Sequence, residues 1–183
     1  MKDETLLIKG CLEGNAKMQK CLYDTYASKM FGICLRYANS HAEASDILQE
    51  GFIKVFTKLQ DFRNEGSLEG WIKRIMINTA INFCIKEKKH FTTDLDNTGE
   101  IIEQAAMNYD SLHLKDLMRL VQKLPSGYRT VFNLYEIEGY THKEISELMG
   151  ISINTSKTQL MHARRFLQKQ LLSIEKQTNS IKR

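Results

Sequence analysis

Apolar residues recur at intervals of three and four along most of the chain, the spacing that gathers side chains on one face of a helix. Alternating β-branched runs, the mark of half-buried strands, are almost absent. The first ninety residues read as four helices. The first covers about 4–13. The second, about 15–38, carries Leu22, Tyr26, Met30, Ile33 and Tyr37 on one stripe. The third, about 41–59, gathers Ala44, Ile47, Leu48, Gly51, Phe52, Val55 and Leu59 on one face and turns Asp46, Gln49, Glu50, Ile53 and Lys54 away from it. The stretch "DFRNEGS" breaks the pattern, and "LEGWIKRIMINTAINFCIKEKK" resumes it as a long helix with Trp71, Ile75 and Ala80 as core.

Residues 91–110 are acidic, polar and weakly periodic. They are expected to be a flexible tether, with a short helical turn in "EIIEQAA". Helical spacing returns over 111–172, and the single proline, Pro125, should end one helix near Leu124 and open the next. Residues 173–183 are expected to be a disordered tail. The chain is therefore expected to be all-α, with two small helical domains (14–90 and 111–172) joined by an acidic linker (91–110).

Within the second domain, "THKEISELMGISINTSKTQLMHARRFL" has the punctuation of a helix-turn-helix. Thr141 is a suitable N-cap, with Glu144 placed to complete a capping box. Gly150 can take the left-handed turn, and Ser152 or Asn154 can cap the following helix. On a wheel of about 100° per residue, Leu160, Ala163, Leu167 and Leu171 form a buried stripe that Ser156 joins. A hydroxyl there can bond the carbonyl four residues back. Thr155, Thr158, His162, Arg165 and Lys169 lie on the opposite face, flanked by Gln159. Hydroxyls and lysines, including Lys157, suit phosphates; Gln and Arg suit base edges in a major groove. Arg164 sits near the buried edge and can meet either a phosphate or an acid on a neighbouring helix.

Composition narrows the classes. The 183 residues are 42% hydrophobic, enough for packed cores, yet no run of about 18 apolar residues offers a membrane span. The N-terminal stretch lacks the form of a signal peptide, so a cytoplasmic location is expected. Cys11, Cys21, Cys34 and Cys84 have no CxxC spacing and read as reduced, buried thiols rather than zinc ligands. The five histidines are scattered, and no nucleophile, zincin, Walker or dinucleotide motif is present, so neither catalysis nor a cofactor is expected. Net charge is +3 over residues 1–90, −4 over 91–140 and +5 over 141–183, a pattern that suits contact with a polyanion at both ends. In the long helix and the loop before it, Phe62, Arg63, Asn64, Trp71, Arg74, Asn78 and Asn82 precede the Lys86–Lys89 cluster. Rings, amides and a basic track together are what single strands require: stacking, base-edge bonds and backbone neutralisation.

Taken together, the two halves resemble a known family. Residues 46–89, "DILQEGFIKVFTKLQDFRNEGSLEGWIKRIMINTAINFCIKEKK", resemble region 2 of sigma factors, and residues 120–167, "LVQKLPSGYRTVFNLYEIEGYTHKEISELMGISINTSKTQLMHARRFL", resemble region 4. Their order, with a short linker and neither region 1.1 nor a region 3 domain, is that of the extracytoplasmic-function group of the sigma-70 family. The resemblance implies a non-catalytic subunit that binds core RNA polymerase and selects promoter DNA, with an anti-sigma factor as a further candidate partner. It implies that Asp46, Gln49 and Glu50 dock on the polymerase clamp. It implies that Phe62, Arg63, Asn64, Trp71, Arg74, Asn78 and Asn82 engage the −10 element, where a base is flipped out during melting. Thr155, Lys157, Thr158, Gln159, His162 and Arg165 would engage the −35 element. The sequence departs from the family pattern at Ile77 (frequently arginine), Asn82 (frequently aspartate), Ser156 (usually valine) and Gln159 (usually arginine). A stand-alone helix-turn-helix regulator is the competing reading, and it leaves residues 1–90 without a role.

Overall fold

A computed structural model describes residues 4–90 and 114–181, with side chains over 4–86 and 117–174. Every regular element among the described residues is a helix. The chain divides into two compact units, residues 1–83 and 84–183. The tether and helical turn expected within 91–110 lie outside the described residues.

The N-terminal unit holds α1 (Glu4–Leu12), α2 (Ala16–Tyr37), α3 (His41–Lys58), a 3₁₀ turn (Leu59–Asp61) and the greater part of α4 (Leu68–His90). Each break is chemically marked. Asn15 caps α2 by accepting from the Lys17 and Met18 amides at 3.0 and 3.4 Å. Ser40 caps α3 through the Glu43 amide at 3.1 Å, while the Glu43 carboxylate accepts from Asn39 N at 2.7 Å. Ser67 caps α4 through the Gly70 amide at 3.1 Å. Such caps replace bonds the first helical turn cannot make internally.

Leu22, Met30 and Tyr37 of α2, Ala44, Ile47 and Val55 of α3, and Leu68, Ile72, Met76 and Ala80 of α4 are wholly buried. Gly51 of α3 leaves room for the buried Met76 side chain of α4, whose thioether a Cβ there would meet. Two expected core positions differ: Trp71 and Ile75 are only half-buried. Leu68, Ile72 and Met76 fill the core instead, which rotates Trp71 to the rim of the helix. Tyr26 is likewise half-buried.

The C-terminal unit contains α5 (Leu114–Gln122), α6 (Ser126–Phe132), α7 (His142–Met149) and α8 (Ile153–Ile181). Pro125 takes φ −50° and ψ 140° between α5 and α6, as expected for a residue that ends one helix and starts the next. Helix α6 runs into a π turn, Asn133–Ile137, where Glu138 N donates to Asn133 O at 3.0 Å. The capping box of α7 is complete: Glu144 N donates to Thr141 Oγ1 at 3.3 Å, and Thr141 N to Glu144 Oε2 at 2.8 Å. Gly150 adopts φ 63°, ψ 35° at the turn. Of the two caps expected for α8, Ser152 makes the bond, accepting from Thr155 N at 2.9 Å. Helix α8 continues to Ile181 rather than stopping near 172, since no Gly or Pro interrupts it. Its Leu160 and Ala163 are buried, as are Leu120, Leu124, Val131, Leu134 and Ile145 of this unit, and Ala163 packs with Val121 and Leu124.

All four cysteines are free, and three are buried. Burial pushes the Cys34 thiol up to about 12, so it packs as an inert apolar group. No helix among the described residues is long and apolar enough to cross a membrane.

Candidate nucleic-acid interface

Three surfaces carry the residues singled out above. The first is the loop 62–67 and the outer face of α4. At about 100° per residue, Trp71, Arg74, Asn78 and Asn82 fall within about 80° of one another. Arg74 and Asn82 are exposed, Trp71 and Asn78 half-buried. Ile77 is 2% exposed, so the position where the family favours arginine faces the core. Phe62 and Trp71 are paired, centroids 5.5 Å apart and planes tilted by 52°, which joins the loop to the first turn of α4. Asn64 sits at φ 60°, a left-handed conformation that asparagine tolerates better than most residues. It holds the loop in a tight reversal, with Arg63 and Asn64 exposed.

The second surface lies on α3. Asp46, Gln49 and Ile53 are exposed and Glu50 half-buried. These four share one face at helical spacing. Ile53 is 64% exposed, a large apolar group among polar ones, as at protein-binding surfaces. Glu50 Oε1 pairs with Lys54 Nζ at 2.7 Å, and Lys54 also donates to Thr79 Oγ1 of α4 at 3.2 Å.

The third surface is the start of α8. Thr155, Lys157, Thr158 and Arg165 are exposed. Gln159 is half-buried, and its Oε1 is buried without a hydrogen-bond partner. Lys157 lies about 200° round the helix from Thr155, on the flank facing α7. His162 is half-buried and stacks on Tyr128, centroids 5.5 Å apart and planes 18° from parallel. One turn further, Phe166 packs onto the Val121–Leu124–Ala163 cluster. His162 and Phe166 therefore turn toward α5 and α6, while Arg165 and Lys169 stay exposed beside them. The first two turns of α8 are its most open stretch, the part of a recognition helix that enters a groove.

Two side chains of α8 find partners outside the helix. Ser156 is fully buried as expected, but its hydroxyl lies 2.9 Å from His142 Nδ1 rather than on the carbonyl four residues back. The His142 ring stacks on Tyr135, centroids 4.5 Å apart. Burial, then the charges of Lys157 and Arg164, hold the His142 pKa below its ordinary value. Arg164 meets an acid of the neighbouring segment: its Nε donates to Glu136 Oε1 at 2.7 Å, Nη2 lies 2.6 Å from the same oxygen, and its guanidinium sits 5.8 Å from the Tyr135 centroid. Two features of the sequence pointed to this cluster: a hydroxyl on the buried stripe and Arg164 near its edge.

Comparison with known proteins bears on what these surfaces do. Residues 22–90 match the model for sigma-70 region 2, and residues 114–167 match that for sigma-70 region 4. The ECF RNA polymerase sigma-E factor of Haemophilus influenzae is 28% identical over 182 residues, covering 90% of this chain and 93% of that protein. The ECF RNA polymerase sigma factor SigW of Bacillus subtilis is 29% identical over 176 residues, covering 90% and 94%. Among solved structures, the Bartonella quintana sigma factor RpoE, crystallised with the anti-sigma factor NepR, has a similar fold: TM-score 0.52, 24% identity, 83% of this chain and 95% of that one. Both regions are present, in the sigma order, within relatives that match nearly end to end; the chain belongs to the extracytoplasmic-function group of the sigma-70 family of RNA polymerase sigma factors.

Proposed function

We propose that this sigma factor divides promoter recognition between its two units and performs no chemistry itself. The N-terminal unit docks on core RNA polymerase through Asp46, Gln49, Glu50 and the exposed Ile53 of α3. It takes up the −10 element with the loop 62–67 and the outer face of α4. The C-terminal unit sets the first turns of α8 in the −35 major groove. The observation that carries this reading is that the Trp71–Asn82 stripe stays outside the core although the helix bearing it is well packed.

The roles follow from chemistry. Phe62 and Trp71 offer a paired aromatic platform for an unstacked base, Asn78 and Asn82 offer amide donors and acceptors for its edge, and Arg63 and Arg74 neutralise phosphates. Polar contacts positioned by protein cost little reorganisation when a strand is melted, and melting needs no catalytic residue in this chain. On α8, Thr155, Thr158 and Gln159 are placed for base edges, whereas Lys157, on the flank, suits a phosphate. The Gln159 amide oxygen is buried and unpaired, and turning the side chain outward to a bidentate contact with adenine would satisfy both ends of the amide. Arg165 suits a phosphate beside the groove. His162, stacked on Tyr128, supports the helix and reaches DNA least of the six.

A stand-alone regulator would leave the region 2 match over residues 22–90 unused. An anti-sigma partner is carried by analogy with the Bartonella quintana complex, and action in the cytoplasm by the transcriptional role. Run-off transcription with core polymerase from a matched host tests the reading. Addition of this protein should produce promoter-dependent transcripts that core alone does not make. Tight, specific duplex binding without polymerase, and no transcript with it, would favour the regulator.

A further inference from the structure

We infer that His142 and Ser156 form a positioning latch that fixes the seating of α8 on α7, so that Thr155, Thr158 and Gln159 meet the groove in one register. The inference rests on the reading of α8 as the −35 helix. The two residues are positioning residues and need not touch DNA themselves.

Ser156 is fully buried within the inward stripe of α8. An aliphatic residue there would hold the helices together by packing, which tolerates small slides. A hydrogen bond at 2.9 Å does not, because its strength falls steeply with distance and angle. The histidine end is fixed as well. Its ring lies on Tyr135 with planes 24° from parallel, and Tyr135 belongs to the π turn, a rare geometry often found beside functional sites. The adjacent residue of that turn, Glu136, holds Arg164 of α8. Thus α8 is tied at two points, Ser156 and Arg164, to one cluster of Tyr135, Glu136 and His142. The Arg164 side chain is 57% exposed and Glu136 32%, so that ion pair contributes little. The buried contact of Ser156 supplies most of the constraint. It sits next to Thr155 and within three residues of Thr158 and Gln159, so any tilt of α8 at Ser156 is passed directly to the reading side chains.

The latch accepts either tautomer. A serine hydroxyl donates to an unprotonated Nδ1 and accepts from a protonated one. Asparagine carries a polar atom at the place of Nδ1, one bond from Cγ, and can replace it; alanine cannot.

The test uses the full chain with core polymerase and measures −35 discrimination, the ratio of transcription from a matched promoter to one with a scrambled −35 element. His142→Ala and Ser156→Ala should each lower the ratio about fivefold or more, the double variant should be no worse than the weaker single, and His142→Asn should retain most of the ratio. Amide exchange over residues 155–159 in the free protein should quicken in both alanine variants and stay slow in His142→Asn. Losses that multiply in the double variant, or a His142→Asn variant as poor as His142→Ala, would overturn the latch. If the unaltered protein shows no promoter-dependent transcription, the sigma reading fails instead, and the exchange data still decide on the latch.

Discussion

Lys54 and Thr79 join the two helices that carry the exposed polar faces of the N-terminal unit: Nζ donates to Oγ1 at 3.2 Å, while the same nitrogen pairs with Glu50 Oε1 at 2.7 Å. Thr79 is 1% exposed and adjoins Asn78, whereas Glu50 lies on the outer face of α3. Replacing Lys54 by Met should cost about 1 kcal/mol or less, because the pair is partly solvated. Thr79→Val should cost a similar amount, and the double variant no more than the larger single. Denaturant unfolding of the four proteins checks this; full additivity would show that the contact is idle.

The missing Cβ of Gly51 in α3 makes room for the buried Met76 side chain of α4. Gly51→Val should destabilise the protein by about 1–3 kcal/mol through overpacking. The outcome expected is a lower denaturant midpoint with unchanged slope, partly reversed by adding Met76→Ala. A small gain in helix propensity over Gly offsets only a fraction of the loss.

Thr141 both caps α7 and completes the box with Glu144. Thr141→Ala should lower stability by about 1 kcal/mol. Thr141→Ser should restore it. A melting temperature unchanged in the alanine variant would contradict the assignment of this cap.

The pH dependence follows from His142. Its pKa is depressed in the folded state by burial, Lys157 and Arg164, so the unfolded chain takes up a proton more readily. The groups that bear on the ring are Tyr135 from the π turn, and Ser156, Lys157 and Arg164 from α8. Its stabilising contribution should be complete above the unfolded value, near 6.5, and be lost as pH falls through the lower folded value. Unfolding free energies of the wild type and His142→Asn, compared at neutral and mildly acidic pH, should converge on acidification. A constant difference between the two would refute it.

The fold was largely legible in local chemistry. The stripe Ala44, Ile47, Leu48, Gly51, Phe52, Val55 and Leu59 is buried throughout, and Thr141, Gly150 and Ser152 punctuate the helix-turn-helix as their side chains dictate. The extent of α8 past 172 was a local misjudgement, and the others were tertiary. Periodicity cannot tell which of Trp71 and Ile72 faces a partner helix, since both lie at the edge of an apolar arc; Ile72 is wholly buried and Trp71 is not. Nor can it show that the His162 ring turns inward, because that depends on Tyr128 of another helix. The His142–Ser156 contact joins residues fourteen apart on two helices and depends on where the π turn places Tyr135. Sequence could only mark Ser156 as a buried hydroxyl and offer it the carbonyl four residues back.

The division of labour between the two units is tested most directly by selection from a promoter library randomised at both elements, run with core polymerase and either the wild type or Gln159→Arg. The added guanidinium favours guanine where the amide favours adenine. The preferred −35 sequence should change at one or two adjacent positions, with the −10 preference unaltered. A shift in both elements, or in the −10 element alone, would contradict the assignment of −35 reading to α8 and −10 reading to the N-terminal unit.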